Sequence, residues 1–450
     1  VFRPLLPLIR RLHFYAGILV APFLLVATIS GGLYALAPQV ESVTYRHLLH
    51  VDSDGPPHSI DEQVAAARES RLGVVTAVDA AAAPHETTRV YFADNSLGES
   101  ERRTVFVDPT TSRVLGQSVT FGSNGALPLR SWLDGLHRNL HLGEPGRTYS
   151  ELAASWLWVV ALGGLALWVN RFRIRRRNTG RSWWRIASVE RTGTRRNRTL
   201  NWHGAVGVWL VVGLVFLSAT GLTWSKHAGQ NIADLRHHLN WDRPPLPTAV
   251  PAAHHHGAAP GPTVAHEQPS ASFDALLAVA RAHGLSGRVE IDLPTGPRDA
   301  VTITQTRLPW RYSVDAIAVD PTTMGVTADV PFSTWSLPAK LAEWGIQLHM
   351  GILFGWVSAV ALLLLMIALT TVIVRGYLLW WRRGPGLRAG RPPQGGTMRS
   401  AFAAADMRTR SVFALLFVAI LVVGWFVPLL GIPLLAFVVV DALVGYCRAG

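Results

Sequence analysis

Four histidines stand where their chemistry could be used together. "LHRNLHLG" (136–143) and "LHMGILFG" (348–355) align so that His137 falls on His349, Leu136 on Leu348 and Gly143 on Gly355. "RLHFYAGILV" carries His13, "NWHGAVGVWL" carries His203, and each opens an apolar run. An ionisable side chain in a membrane segment is costly and marks a functional position by default. Two neutral imidazoles on opposed helices can supply both axial ligands of a six-coordinate haem iron. Small residues follow the histidines: Ala16 and Gly17, Gly204 and Gly207, Gly351 and Gly355. They would let a flat macrocycle approach the helix backbone, although such faces also serve plain helix packing. Zinc fits less well, because no Cys or carboxylate accompanies these histidines at ligand spacing within a span. A proton relay would want Asp or Glu inside a span, and the interiors of the four main apolar segments hold none. His141 has Leu353 as its counterpart. It is an alternative ligand to His137, a group that orients it, or a contact for a haem propionate.

These positions need elements to hold them. Apolar segments of about 20 residues are long enough to span a bilayer. Four such segments run over 12–37, 149–170, 202–225 and 349–374, and a shorter pair, 411–427 and 429–446, flanks Pro428 as a terminal hairpin of spans. The loop 171–198 carries eleven Arg and one acidic residue, and Arg also crowds the N-terminus and the segment after the fourth span. Alternating spans put all three on one side, which the positive-inside rule makes cytoplasmic. The polar stretches 38–135 and 226–340 then lie outside. We expect a multi-pass protein of the cytoplasmic membrane with its N-terminus inside.

The two outer stretches resemble each other. "SIDEQVAAARE" matches "SFDALLAVARA", and "VFVDPTTSRVLG" matches "IAVDPTTMGVTA". The valines of VDPTT and the paired His137 and His349 are each 212 residues apart, and the serines that open the helical stretches are 213 apart. A constant offset through separate landmarks indicates tandem duplication. His13 and His203 are only 190 apart. The difference lies in a Pro/Ala/His-rich linker that includes His254, His255 and His256, which we read as low-complexity sequence rather than a metal site. Each outer stretch reads as an amphipathic helix followed by strand-like runs such as "TRVYFAD" and "AVTITQT", with VDPTT as a structural turn. The expected architecture is mainly α-helical: four core transmembrane helices in two repeats, a C-terminal helical hairpin, and two small extracytoplasmic α+β domains. A pseudo-twofold axis along the membrane normal would set His13 against His203 and His137 against His349. About 23 helical residues rise roughly 35 Å, so the pairs would sit near the two membrane surfaces and form an electron path.

Composition narrows the alternatives. The chain has 450 residues, 49% of them hydrophobic and only 16% charged, with 17 Trp. That is too apolar for an ordinary soluble protein. The net charge of +13 sits beside apolar runs, where Arg signals topology, so it does not point to nucleic acid. One cysteine, Cys447, excludes an internal disulfide. Trp156, Trp158, Trp168, Trp224, Trp380 and Trp381 read as an interfacial belt, and His227 as an interfacial anchor. The first apolar segment reads as a retained anchor. No Gly-rich dinucleotide fingerprint follows a strand, so the electron donor is expected to be another protein, a flavin or a quinol.

With these stretches in hand, the chain resembles the PepSY-associated transmembrane family over nearly its whole length. "RLHFYAG", "LHRNLHLGEPGR", "NWHGAVGVW", "LHMGILFG" and the two VDPTT units, which look like PepSY domains, carry the resemblance. The second outer copy lacks the Glu-Pro-Gly-Arg that follows the first. The resemblance implies an inner-membrane ferric-siderophore reductase with two b-type haems held by His13, His203, His137 and His349. Electrons would pass outward to Fe(III) in a siderophore or other chelate, loosening it, since Fe(II) suits hard oxygen donors less. Two other classes are open: a non-enzymatic module whose outer domains bind or regulate a partner such as a peptidase, and a transporter subunit that uses the His-rich loop.

Overall fold

The computed structural model describes residues 5–180, 182–250, 271–296, 298–382 and 407–447. The histidine triplet 254–256 and most of the loop after the fourth span lie outside the described residues. The chain divides into two units, each treated by itself. The first comprises Val1–Ala35, Leu133–Asn240 and Ala359–Gly450, and the second Leu36–Trp132 and Trp241–Ser358.

Among the described residues four helices are long and apolar enough to cross a membrane: α1 (Leu6–Thr44), α5 (Glu144–Thr179), α6 (Arg195–Leu222) and α10 (Trp356–Trp381). Between them run α2 (Arg46–Leu49), α3 (Ile60–Ser70), α4 (Pro128–Asn139), α7 (His227–His238), α8 (Phe273–Ala282) and α9 (Leu337–His349). The chain ends in α11 (Met407–Phe426) and α12 (Pro428–Cys447). Among the described residues their apolar stretches include Phe417–Phe426 and Pro428–Asp441.

In the first unit α5 and α6 pack closely because Gly204 gives way to Trp168. A Cβ at 204 would lie 2.3 Å from the indole. The terminal hairpin docks at both its ends. Trp156 Nε1 donates to Leu429 O at 3.1 Å and Asn231 Nδ2 to Phe426 O at 2.8 Å. At the other end Arg11 on α1 pairs with Asp441 on α12 at 2.7 Å, both nearly buried.

The fourth spanning helix starts at Trp356, not at 349. Gly351 and Gly355 take positive φ of 76° and 54°, which breaks the chain between α9 and α10. These two glycines therefore do not form a smooth helix face for a macrocycle, as the sequence suggested. The first repeat breaks likewise between α4 and α5, at Leu140 (φ 57°), His141 (φ 55°) and Gly143 (φ 65°).

The second unit holds one antiparallel sheet of eight strands, in order β4-β3-β2-β1-β5-β6-β7-β8. The strands are β1 (Val75–Asp79), β2 (Thr88–Phe92), β3 (Glu101–Val107), β4 (Val114–Phe121), β5 (Val289–Asp292), β6 (Val301–Gln305), β7 (Ala316–Val319) and β8 (Val326–Val330). Among the described residues each repeat is thus one helix and four strands, and the strands of both repeats join in the one sheet. β1 and β5 pair in the register Ala77↔Asp292 and Asp79↔Glu290. This satisfies two strand edges that would otherwise stand open. α3 and α8 cover one face with Val64, Ala67, Phe273 and Leu276 against Val78, Val90, Ile291 and Ile303.

The helix starts of the two repeats cap each other. Asp274 accepts from the backbone N–H of Ile60 and Asp61, and Asp61 accepts from Phe273 N–H and Ser272 Oγ. Burial raises the Asp61 pKa, but these hydrogen bonds outweigh it and hold the group below its usual value. VDPTT is a turn, as read: Asp320 accepts from Thr322 N–H and Thr323 Oγ1 at 2.8 Å each, which lowers its pKa. The seam carries charge. Arg102 forms a two-pronged pair with Glu290 and stacks on Tyr91 at 3.7 Å. Arg288 donates to Asp79 at 2.7 Å and Glu86 at 3.2 Å. Asp292 is pushed up to about 7, first by burial and then by the neighbouring Glu290.

Candidate functional site

His13 and His203 meet inside the first unit. Their ring centres are 6.4 Å apart and their planes cross at 77°. His13 Nδ1 lies 2.9 Å from Val160 O on α5. His203 Nδ1 lies 3.0 Å from Val372 O on α10. A carbonyl oxygen only accepts, so Nδ1 must carry the proton in both rings, and each neutral imidazole keeps its lone pair on Nε2. Such a backbone contact is how proteins orient a ligating histidine.

Each ring also lies against a glycine of the helix that anchors it. A Cβ at Gly164 would stand 2.9 Å from His13 Cε1, and one at Gly376 would stand 3.6 Å from His203 Cε1. Val160 and Val372 are 212 residues apart, and so are Gly164 and Gly376. The acceptor and the glycine therefore recur with the duplication. Reading forward from each histidine along its own helix did not reach them; applying the 212-residue offset to the second span would have.

The pair opens onto a cavity of about 790 Å³, lined by His13, Gly17, Gly164, His203, Gly204 and Gly207 among mostly apolar neighbours. The donor set fits a haem. His13 and His203, each neutral with the Nε2 lone pair left over, are the residues that would hold its iron. Among the described residues no group of three or more His, Cys, Asp or Glu could hold a bare metal ion.

The other sequence-selected histidines are placed differently. His137 lies on α4, in the first unit, with Nδ1 3.0 Å from Ala27 O and 3.1 Å from Ser30 Oγ on α1. Gly31 leaves room for its ring, since a Cβ there would lie 3.3 Å from His137 Cε1. The same logic protonates Nδ1 and leaves Nε2 as the acceptor. His141 lies in the α4–α5 break, its ring against Gly135, where a Cβ would meet it at 2.6 Å. His349 is the last residue of α9, in the second unit.

Residues 10–383 match the family model described as the PepSY-associated TM region. The chain belongs to the PepSY-associated transmembrane family. No curated protein matches it. The match covers all five selected histidines of this PepSY-associated protein and ends before the terminal hairpin.

Proposed function

We propose that this membrane protein is a haem-based electron carrier that reduces a ferric chelate, such as a ferric siderophore, on the outer side of the cytoplasmic membrane during iron uptake. The observation that carries the reading is the His13–His203 pair. Two imidazoles with ring centres 6.4 Å apart, each with Nδ1 held by a backbone carbonyl, face a cavity of about 790 Å³. Bound haem b would supply reversible one-electron chemistry. The chain's own residues do the rest. Val160 and Val372 fix the rings, Gly164 and Gly376 make room for them, and the apolar wall excludes water. One electron from a flavoprotein, flavin or quinol would convert Fe(III) in the chelate to Fe(II). The second expected haem rests on the sequence repeat of His137 and His349 alone, with His141 as an alternative to His137. The arginine-rich ends support a cytoplasmic N-terminus.

The test is the visible spectrum of detergent-purified protein, air-oxidised and then dithionite-reduced, with a pyridine haemochrome count. We expect b-type bands, their partial loss in H13A and H203A, and reoxidation of the reduced protein by a ferric chelate. Colourless protein from haem-replete cells defeats the reading and turns attention to the outer unit as a partner-binding module.

A further inference from the structure

The cavity's polar wall is one-sided in charge. Besides the two imidazoles it contains Arg10, Asn170, Arg171, Arg175, Arg196 and Tyr377, and among the described residues no Asp or Glu. Three of these are already engaged, Arg10 among them. Arg175 donates to Asn201 Oδ1 at 3.3 Å and lies 3.8 Å from Glu190, and Tyr377 donates to Ile18 O at 3.1 Å. Arg171 differs, because its Nε is buried and makes no hydrogen bond among the described residues. A buried guanidinium donor without an acceptor is costly. Arg171 stands seven residues beyond Gly164, about 10 Å of helix rise past the contact with His13. Helical side chains lean toward their own N-terminus, which for α5 means back toward Gly164 and the cavity. Arg196 stands seven residues before His203 on α6, at the same remove of about 10 Å.

We propose that Arg171, supported by Arg196, binds the carboxylates of the cavity's ligand and so fixes its orientation, with its acid edge toward the arginine-rich end and its apolar edge toward the bilayer interior. The inference rests on the haem reading above and deepens it. The chemistry is that of a planar fork meeting a carboxylate, which lysine does not reproduce. An apolar cavity with cations at one end accepts a flat amphiphilic diacid in one of its two senses and disfavours its uncharged ester.

The experiment uses the full chain, produced in haem-depleted cells and kept in neutral detergent. It is titrated with haemin and, separately, with haemin dimethyl ester, and the Soret band is followed. We expect the wild type to bind haemin at least tenfold more tightly than the diester. In R171Q/R196Q both should bind with similar affinity, the preference being lost while the band position, set by His13 and His203, is kept. R185Q, which removes an exposed arginine outside the cavity, should behave as wild type. Equal wild-type affinity for the two porphyrins, or loss of the preference in R185Q, overturns this proposal alone and leaves the arginines to lipid headgroups. Failure of the protein to shift the Soret band of either porphyrin overturns the haem reading as well.

Discussion

The glycines that face the His13–His203 pair are not equivalent, and the difference predicts an outcome. A methyl at 164 would lie 2.9 Å from His13 Cε1, inside any permitted contact, whereas one at 376 would lie 3.6 Å from His203 Cε1, an ordinary one. G164A should displace the His13 ring and reduce bound haem at least several-fold; G376A should retain it, and G376L should not. Haem content per chain decides this, and equal retention in G164A and G376A would show that the rings are not held as described. Asp292 makes a second prediction, at the seam of the sheet. Its pKa is raised to about 7, so the folded chain keeps a proton that the unfolded chain releases above about pH 4. Its unfavourable contribution is absent below that, grows as pH rises toward 7, and is then constant. Amide exchange in β5, corrected for intrinsic rates, should slow from pH 8 to pH 6. D292N should slow it at pH 8 and flatten the dependence; an unchanged slope refutes the assignment. The histidines were legible in the sequence because ionisable groups in apolar runs stand out and recur. Val160 and Val372 were not, because a backbone carbonyl acts through its place on a facing helix and not through its side chain. Asp292 was not, because its burial comes from strands far away in sequence, although Glu290 stands two residues before it.

At the level of the element, legibility followed locality. The spans, the helix that opens each outer repeat, and strands β2, β3, β6 and β7 show their periodicity within a few residues. The β1–β5 pairing joins residues more than 200 apart, and nothing in either strand names its partner, so the shared sheet was not legible. The helix breaks were half visible. Gly351 and Gly355 were read for their size when their positive φ was the operative property, and Leu140 and His141 give no such signal at all. Reciprocal capping by Asp61 and Asp274 was also hidden, since each N-cap has a local Ser that already explains the helix start. D274A removes the acceptor from two N–H groups of α3, Ile60 and Asp61. Loss of a cap costs about 1 kcal/mol. Hydrogen exchange over 59–64 should therefore rise about fivefold, with α8 changed less. Protection that is unchanged at α3 would mean that Ser59 and water suffice.

For the whole molecule, the duplication is the economical description of both units. Repeat-related valines and glycines anchor the histidine pair in one, and repeat-related strands share a seam in the other. The terminal hairpin stands outside that scheme. The family match stops at residue 383, and among the described residues none of the hairpin lines the cavity. Yet the hairpin is tied to α1 by Arg11 and Asp441, only two residues from His13. Removing one partner of a buried ion pair leaves an uncompensated charge at a cost of about 3–5 kcal/mol, while an apolar replacement of both is often neutral. D441A should thus lower thermal stability in detergent markedly, and R11M/D441L should recover most of it. A chain ending at 383 and carrying R11M should keep its Soret band while unfolding at lower temperature. Stability measured beside the spectrum separates the two roles. If the truncated chain loses its haem at temperatures where its helices persist, the hairpin shapes the cofactor site through α1 and is not merely a brace.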